Sequence, residues 1–405
     1  MAIYALSTGP GIAGIAIIRV SGKNTAEVVK KVTGDELPNP REATRRKFNY
    51  INTNELIDEG VLLWFPGPNS YTGEDLAEFH VHGSRAVINA LHNTISMIEN
   101  CRLAEPGEFT KRAFQNGKIN LLKAESIADL VLSETEIQRK QALKIMGGQS
   151  SDKFNSWREK LLKILSHIEA KIDFPDEDLP NIIIKEIRKT SSLVMNEIKK
   201  TLNDQKVGER IREGFRIAIV GPINAGKSSL LNYLSKRDAA IVSEIAGTTR
   251  DVIETHLNLD GYPVVLSDTA GIRESKNEIE KKGIKIALNR AEDADLKLVI
   301  VSTKNVDFAK VLKGLLTKDA ILVVNKSDLI KRKLNKNFKK YEHVLISIKK
   351  DLNLNKLISK IKSKLKNQFI SSENILITRE RHRQNLKNCV HHLQKFQEKK
   401  NIKSF

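Results

Sequence analysis

The run Gly221-Pro222-Ile223-Asn224-Ala225-Gly226-Lys227-Ser228 fits the pattern G-x-x-x-x-G-K-[ST], and it constrains the fold more tightly than any other stretch. The apolar segment 215–220 before it reads as a strand, and 229–234 after it reads as a helix. At such a strand-to-helix turn, backbone amides of the loop and helix start face a phosphate. Lys227 can then neutralise phosphate oxygens, and the Ser228 hydroxyl can reach a magnesium ion. A loop of this kind needs a mainly parallel sheet behind it. Segments 264–266, 298–301, 321–324 and 344–346 supply strand-like runs that alternate with helical ones over residues 213–370.

Base identity is read from Asn325-Lys326-Ser327-Asp328, directly after the strand-like run 321–324. The Asp328 carboxylate can accept two hydrogen bonds from N1 and the exocyclic amine of guanine, a donor pair that adenine lacks, so the expected nucleotide is GTP. Asp268-Thr269-Ala270-Gly271 follows another strand and fits an element that reaches magnesium through Asp268 and senses the terminal phosphate through the Gly271 amide. Gly247-Thr248-Thr249-Arg250-Asp251 offers hydroxyls for a switch segment, with Thr249 joining Ser228 on magnesium. The residue after Gly271 is Ile272, where Ras-like GTPases carry a water-orienting glutamine. Glu274, Glu278 and Glu280 are the acidic candidates for that task, and the residues alone do not choose among them.

The fold class expected is α/β plus α. With 405 residues the chain has room for two to three packed domains. Residues 1–118 mix β-like runs at 14–20, 60–65 and 76–81 with glycine and proline turns, an α/β unit. Residues 119–212 are helical. There Phe154, Trp157, Leu161, Leu165, Ile168 and Ile172 repeat at three and four residues, Phe174-Pro175-Asp176-Glu177-Asp178 ends the helix, and a second helix runs over 183–206. Residues 371–405 return to helix through Leu386, Val390 and Leu393, and should pack back on 119–212 with the P-loop domain inserted between the two parts.

The net charge of +19 favours a polyanionic partner such as RNA, although lysine-rich composition throughout the chain explains much of it. Cys101 and Cys389 lack a metal-ligand spacing, which suits a reducing compartment. No segment approaches the roughly 18 apolar residues of a membrane helix. A cytoplasmic protein without a membrane partner is expected. His80 and His82 share a strand face, with no third metal ligand evident.

Five further stretches lie in the first 118 residues: Arg19-Val20-Ser21-Gly22, Gly67-Pro68-Asn69-Ser70-Tyr71-Thr72-Gly73-Glu74-Asp75, His82-Gly83, Pro106-Gly107-Glu108-Phe109 and Asn116-Gly117-Lys118. With the order of the nucleotide motifs, they make the chain resemble the tRNA modification GTPase family called MnmE or TrmE over nearly its whole length. The resemblance implies an N-terminal folate-binding-like and dimerisation domain, with a 5-formyltetrahydrofolate-type folate on Arg19, Glu78 and Lys118.

It implies a GTP site made of Gly221, Asn224, Ala225, Gly226, Lys227, Ser228, Ser229, the loop Ser243-Glu244-Ile245-Ala246-Gly247-Thr248-Thr249, Asp268, Thr269, Ala270, Gly271, Asn325, Lys326, Asp328, Ser347, Ile348 and Lys349. It places potassium on Asn224, Ser243, Ile245 and Thr248, and makes Glu280 the water-orienting residue beside Lys227. It further implies a homodimer that works with an FAD-dependent partner, in a heterotetramer-type complex, on the tRNA wobble uridine in 5-carboxymethylaminomethyl-type modification.

The chain departs from the family pattern twice. Ser347-Ile348-Lys349 stands where Ser-Ala-Lys or Ser-Ala-Arg is usual, and the chain stops at Phe405 without the usual cysteine-x-glycine-lysine tail. Two other readings are a truncated nucleotide-binding scaffold without modification activity and a ribosome-assembly GTPase.

Overall fold

A computed structural model describes residues 1–174, 181–222, 224–237, 254–268, 292–303, 314–329, 341–369 and 375–398. The chain divides into two compact units, residues 1–125 and 126–405.

The first unit is a six-stranded sheet of β1 (Ala2–Leu6), β2 (Ala13–Ser21), β3 (Thr44–Asn49), β4 (Leu56–Phe65), β5 (Leu76–Gly83) and β6 (Cys101–Leu103), in the order β3-β4-β5-β2-β1-β6. The pairings are antiparallel except β1 with β6. Alternation along the strands sends Ile18, Val20, Phe48, Leu62, Phe79 and Val81 into one core. Helices α1 (Thr25–Thr33) and α2 (Arg85–Ser96) cover it through Val28, Val29, Val32, Leu91 and Ile95. The opposite side chains of the same strands, Arg19, Glu78 and His80 among them, are left partly exposed. Ser84 starts α2 by accepting the Val87 amide on its hydroxyl at 3.2 Å. A short α3 (Glu108–Gln115) follows, and α4 (Leu121–Val131) carries the chain into the second unit.

The second unit opens with helices α5 (Glu136–Met146), α6 (Gln149–Asp173), α7 (Asn181–Leu202) and α8 (Val207–Glu213). A parallel sheet of β7 (Phe215–Val220), β9 (Tyr262–Asp268), β10 (Leu296–Ser302), β11 (Ala320–Asn325) and β12 (His343–Leu345) follows, extended at one edge by antiparallel β8 (Glu254–Leu259). Its order is β12-β11-β10-β7-β9-β8. Helix α9 (Lys227–Arg237) follows β7, and α10 (Leu354–Phe369) follows β12. Their Leu230, Leu234, Leu357, Ile358 and Ile361 bury against β-branched strand residues. The last helix, α11 (Glu380–Glu398), packs on α7, and Trp157, Val194, Ile198 and Val390 form the core of that helical layer.

One part of the expected α6 stripe is not buried. Phe154, Trp157 and Leu161 face this core, but Leu165 and Ile172 are 48% and 58% exposed, while Ile164 is 8% exposed. A step of four residues overshoots one helical turn by about 40°, so Leu165 has drifted about 80° from Trp157. Ile164, two turns on from Trp157, has drifted back only about 20°.

The short helix α8 is where helices and nucleotide sheet are tied together. Gly208 has no side chain because a β-carbon there would stand 1.9 Å from the Ile377 carbonyl oxygen. Glu209 accepts Arg383 Nε at 2.6 Å and Nη2 at 3.0 Å, and Arg383 also reaches Asp204 at 2.6 Å and the Leu202 carbonyl at 2.9 Å. Arg210 pairs with Asp295 at 2.7 Å, whose other oxygen accepts the Arg216 amide at 3.0 Å at the start of β7. Burial pushes the Asp295 carboxyl pKa up, only partly offset by the Arg216 amide and Arg210. Arg212 and Arg379 share Asp129, at 3.0 and 2.8 Å.

The Arg383 side chain is 3% exposed and holds two carboxylates. Its removal leaves both with an unmet charge in a dry site, so Arg383→Ala should lower stability by about 3–5 kcal/mol. Chemical denaturation followed by circular dichroism checks this, and a loss under about 1 kcal/mol would place the pair among exposed bridges.

Candidate functional site: a nucleotide cleft and an arginine pocket

The cleft forms where β7, β11 and the turn after β12 end on the same edge of the sheet. Buried β7 delivers Gly221 and Pro222, and the loop closes through Asn224 and Gly226 at φ of 61° and 102°. Gly226 is required twice over. Its backbone is left-handed, and a β-carbon there would lie 2.2 Å from the Asn325 side-chain nitrogen.

Asn325 uses that space. Its amide donates to the Ala225 carbonyl at 2.9 Å, while its oxygen accepts the Lys326 amide at 2.7 Å and lies 3.4 Å from the Ile348 amide. Lys326 donates to the Asn224 carbonyl at 2.8 Å, and Thr303 donates to the Lys326 carbonyl at 3.2 Å. The turn carrying Ser347, Ile348 and Lys349 is closed by paired backbone bonds between Ser347 and Leu352 at 3.1 and 3.0 Å. Three separated chain segments thus meet through side chain-to-backbone bonds.

The resulting cleft measures about 790 Å³ and is lined by Asn224, Gly226, Lys227, Ser228 and Ser229 on one side, and Asn325, Lys326, Asp328, Ser347, Ile348 and Lys349 on the other. Lys227 is 8% exposed, and its ammonium donates to the carbonyls of Gly221 and Pro222 at 3.1 Å each. Placing an ammonium ion in so dry a site is costly, and an anion in the cleft would repay that cost better than neutral carbonyls do. Lys326 and Lys349 add positive charge at the rim, and exposed Asp328 is the carboxylate available to a base. Gly221 and Ala225 sit in the loop behind, Ala225 fully buried. These features fit a phosphate-bearing ligand whose base end lies over β11.

Asp268 ends β9 opposite Ile219, next to the last residue of β7, so its backbone stands at the same edge of the sheet. Its side chain lies outside the described residues, as do Ser243, Glu244, Ile245, Ala246, Gly247, Thr248, Thr249, Thr269, Ala270, Gly271 and Glu280. The structure therefore brings together the phosphate and base elements, with Ser228 on the first turn of α9 inside the cleft. Among the described residues no group of three or more His, Cys, Asp or Glu side chains is poised for a metal. Sequence reasoning missed Thr303, which braces Lys326, and Leu329, which lines the cleft. Neither carries a motif signal.

In the first unit, Arg19 of β2 and Glu78 of β5 are register partners and form a bridge of 2.7 Å, with Glu78 also 3.4 Å from His80. The Arg19 guanidinium lies 5.7 Å from the ring centre of Tyr71 and 5.8 Å from that of Phe109, over both aromatic rings. Lys118 caps the neighbouring loop, donating to the Pro68 carbonyl at 2.8 Å and packing its stem 3.2 Å from where a β-carbon on Gly73 would be. The segment from Gly67 to Asp75 thus connects the predicted residues, with Tyr71 at Arg19 and Pro68 and Gly73 at Lys118. Tyr71 and Phe109 were not singled out, though both lie inside the stretches that carry the family resemblance. Behind them Glu108 is anchored by Arg102 at 2.6 Å and Arg112 at 3.3 Å, and the Arg102 bond leads in holding its carboxyl at about 2.

Residues 2–118 match the profile of the GTP-binding protein TrmE N-terminus, and residues 121–404 match that of the MnmE helical domain. The chain belongs to the MnmE family. It is 71% identical over all 405 residues to the tRNA modification GTPase MnmE of Pelagibacter ubique, covering 91% of that relative. It is 46% identical over 398 residues, 97% of this chain, to that of Rickettsia bellii, covering 89% of it. Among solved structures, Aquifex aeolicus Era bound to GDP and aluminium fluoride aligns with 37% of this chain and 56% of its own, at 30% identity and a TM-score of 0.31. The assignment to the MnmE family rests on the sequence matches rather than on this partial overlay.

The close approach at Gly226 gives a sharp test. Gly226→Ala should cost about 1–3 kcal/mol of stability, since its β-carbon displaces buried Asn325 and its backbone is left-handed, while lowering affinity for a fluorescent GTP analogue at least about 100-fold, near 3 kcal/mol. Titration by fluorescence, with circular dichroism on the same sample, measures both.

Proposed function

We propose that this chain is a GTPase that serves tRNA modification, with potassium stimulating its hydrolysis and a folate bound in its first unit. The observation that carries the reading is the cleft itself. It holds a buried Lys227 beside a glycine cradle and a carboxylate, Asp328, over the same opening. Membership of the MnmE family and the names of the relatives, tRNA modification GTPases, support the same reading.

Within this reading, Lys227 and the loop amides bind the phosphates, Asp328 selects guanine, and Ile348 and Lys349 flank the base. Ser228, with Thr249 and Asp268, would hold magnesium, which supplies charge neutralisation on the phosphates. Asn224, with Ser243, Ile245 and Thr248, would hold potassium, which offsets charge developed during hydrolysis where other GTPases use an arginine. Glu280 orients the attacking water, because Ile272 has no group to do so.

Arg19, beside Tyr71 and Phe109, and Lys118 offer cations to the carboxylates of a 5-formyltetrahydrofolate-type ligand, and Glu78 accepts from its ring. The domain division 1–118, 119–212, 213–370 and 371–405 belongs to the same proposal. So do a homodimer through the first domain, an FAD-dependent partner, the wobble uridine as target and a cytoplasmic setting. Hydrolysis would drive the coupling between units, since the phosphate-bound and released states differ in what holds the switch segments.

Asp328→Asn replaces a carboxylate that accepts two bonds with an amide that accepts one and donates another. GTP affinity should fall about 10- to 100-fold, and xanthosine triphosphate should become the better ligand. Unchanged GTP affinity by isothermal titration calorimetry would remove Asp328 from the base site. Separately, GTP turnover at equal ionic strength should be several-fold faster in potassium chloride than in sodium chloride. Equal rates in a phosphate-release assay would rule out the cation reading while leaving nucleotide binding intact.

A further inference from the structure

We propose that the solvent side of the seam between α7 and α11 is the surface that carries transfer RNA, held through its phosphates and sugar hydroxyls. The inference rests on the reading above that the chain serves tRNA modification, and adds the place. The two helices run antiparallel in contact over about 21 Å. At one end Arg383 donates to the Leu202 carbonyl at 2.9 Å, and at the other Gln397 donates to the Arg188 carbonyl at 2.9 Å.

Charge is sorted within this helical layer. Helix α6 exposes acids along its length, Asp152, Glu159, Glu169 and Asp173. The acids of α7, Glu186 and Glu197, are both taken by α6 lysines, Lys163 at 3.2 Å and Lys153 at 2.6 Å. Helix α11 carries no acid between Glu380 and Glu398, and Glu380 is tied to Lys206 at 3.1 Å. Lys185, Lys189, Lys199 and Lys200 of α7 and Lys387 and Lys395 of α11 are exposed, and none stands in an ion pair among the described residues.

Helical geometry brings several of these to one surface. Each residue turns the chain about 100° around the helix axis. Ser192 and Lys199 thus follow buried Ser191 and Ile198 out of the contact with α11, while Lys387 and Gln394 follow Leu386 and Leu393 out of the contact with α7. Because the helices are antiparallel, the same sense of rotation carries both pairs to the same side of the seam. Lys185 lies seven residues before Ser192, as Lys387 does before Gln394, so each helix contributes a line of polar groups along its axis.

The character of this surface selects its occupant. A protein partner is held by apolar side chains at the centre of the interface, and a bilayer by apolar side chains that enter it. Neither is offered. Leu193, the exposed apolar residue of α7, lines the groove toward α6 instead, and from Arg381 to Lys395 every exposed side chain of α11 is a cation, an amide or a histidine. Cations at intervals, with amides between them, suit a polyribonucleotide, whose phosphates take the charges and whose 2′-hydroxyls both donate and accept.

The test uses the full chain, a fluorescein-labelled unmodified transfer RNA transcript and fluorescence anisotropy over a salt series. Lys185→Gln with Lys199→Gln and Lys387→Gln should weaken binding at least about 10-fold and lower the slope of log affinity against log salt by about 2. A control triple, Lys144→Gln with Lys356→Gln and Lys366→Gln, removes the same charge from exposed lysines of α5 and α10 and should change affinity less than about 2-fold. Gln394→Ala should weaken binding with the salt slope unchanged, the mark of a lost hydrogen bond rather than a lost phosphate contact. Melting and GTP turnover should match the parent chain in all of them.

A seam triple that binds as the parent does, or two triples that weaken binding equally, would overturn the placement and leave the tRNA-modification reading standing. A parent chain that binds no transfer RNA would overturn the placement and count against the tRNA part of that reading, while GTP turnover reports separately on its nucleotide part. Polyglutamate that displaces the transcript as well as unlabelled transfer RNA does, at equal charge, would assign the surface to an acidic polypeptide instead.

Discussion

The side-chain amide of Asn325 occupies the space that a β-carbon on Gly226 would need, and the rest of the nucleotide cleft depends on that contact. It joins the loop after β7 to the loop after β11 directly, without a ligand between them. Lys326 repeats the connection one residue on, reaching the Asn224 carbonyl. Because both loops hang from buried parallel strands, their separation is set by sheet geometry and locked by two hydrogen bonds. On the proposed reading, the phosphate and base ends of the nucleotide meet two loops already held in place, so less ordering remains to be done on binding. Ile348 joins this arrangement from the third loop, its backbone amide turned toward the Asn325 oxygen at 3.4 Å.

The sheet that sets this geometry is in turn tied to the helices through α8. Four successive residues of that helix serve different neighbours: Gly208 the chain at Ile377, Glu209 the Arg383 of α11, Arg210 the Asp295 before β10, and Ile211 the apolar interior. The helix runs straight into β7, and the extended segment 375–378 runs straight into α11. The outgoing and returning chain are therefore held against each other at one point. A buried ion network of this kind gives little net stability compared with an apolar one, but it penalises any arrangement in which a charge loses its partner. That makes the junction specific rather than merely adhesive.

The first unit solves a different problem with the same means. One face of its sheet is filled by Phe48, Leu62 and Phe79, which frees the other to carry Arg19, Glu78 and His80 in register. Period-two alternation alone produces this division. Placing Tyr71 and Phe109 beside Arg19 requires the loop from Gly67 to Asp75 and the start of α3 to meet there, and nothing in strand periodicity specifies it.

Much was legible beforehand because the signals are local. The P-loop, the strands around it and the guanine motif each lie within a few residues of their own context, and their spacing implied the parallel sheet that β7, β9, β10, β11 and β12 form. The α6 stripe was legible only to Leu161. Steps of three and four look alike in one dimension, and their accumulated drift decides which side is buried, so Ile164 is covered where Leu165 is not. Thr303 bracing Lys326 and the aromatic pair around Arg19 were not legible, since each joins segments far apart in the chain.

What the sequence determined by itself was the chemistry available: a glycine cradle, a lysine and a carboxylate in the right order. What only the tertiary structure decided was their mutual reach, because distances between loops follow from strand register and buried packing rather than from neighbours along the chain.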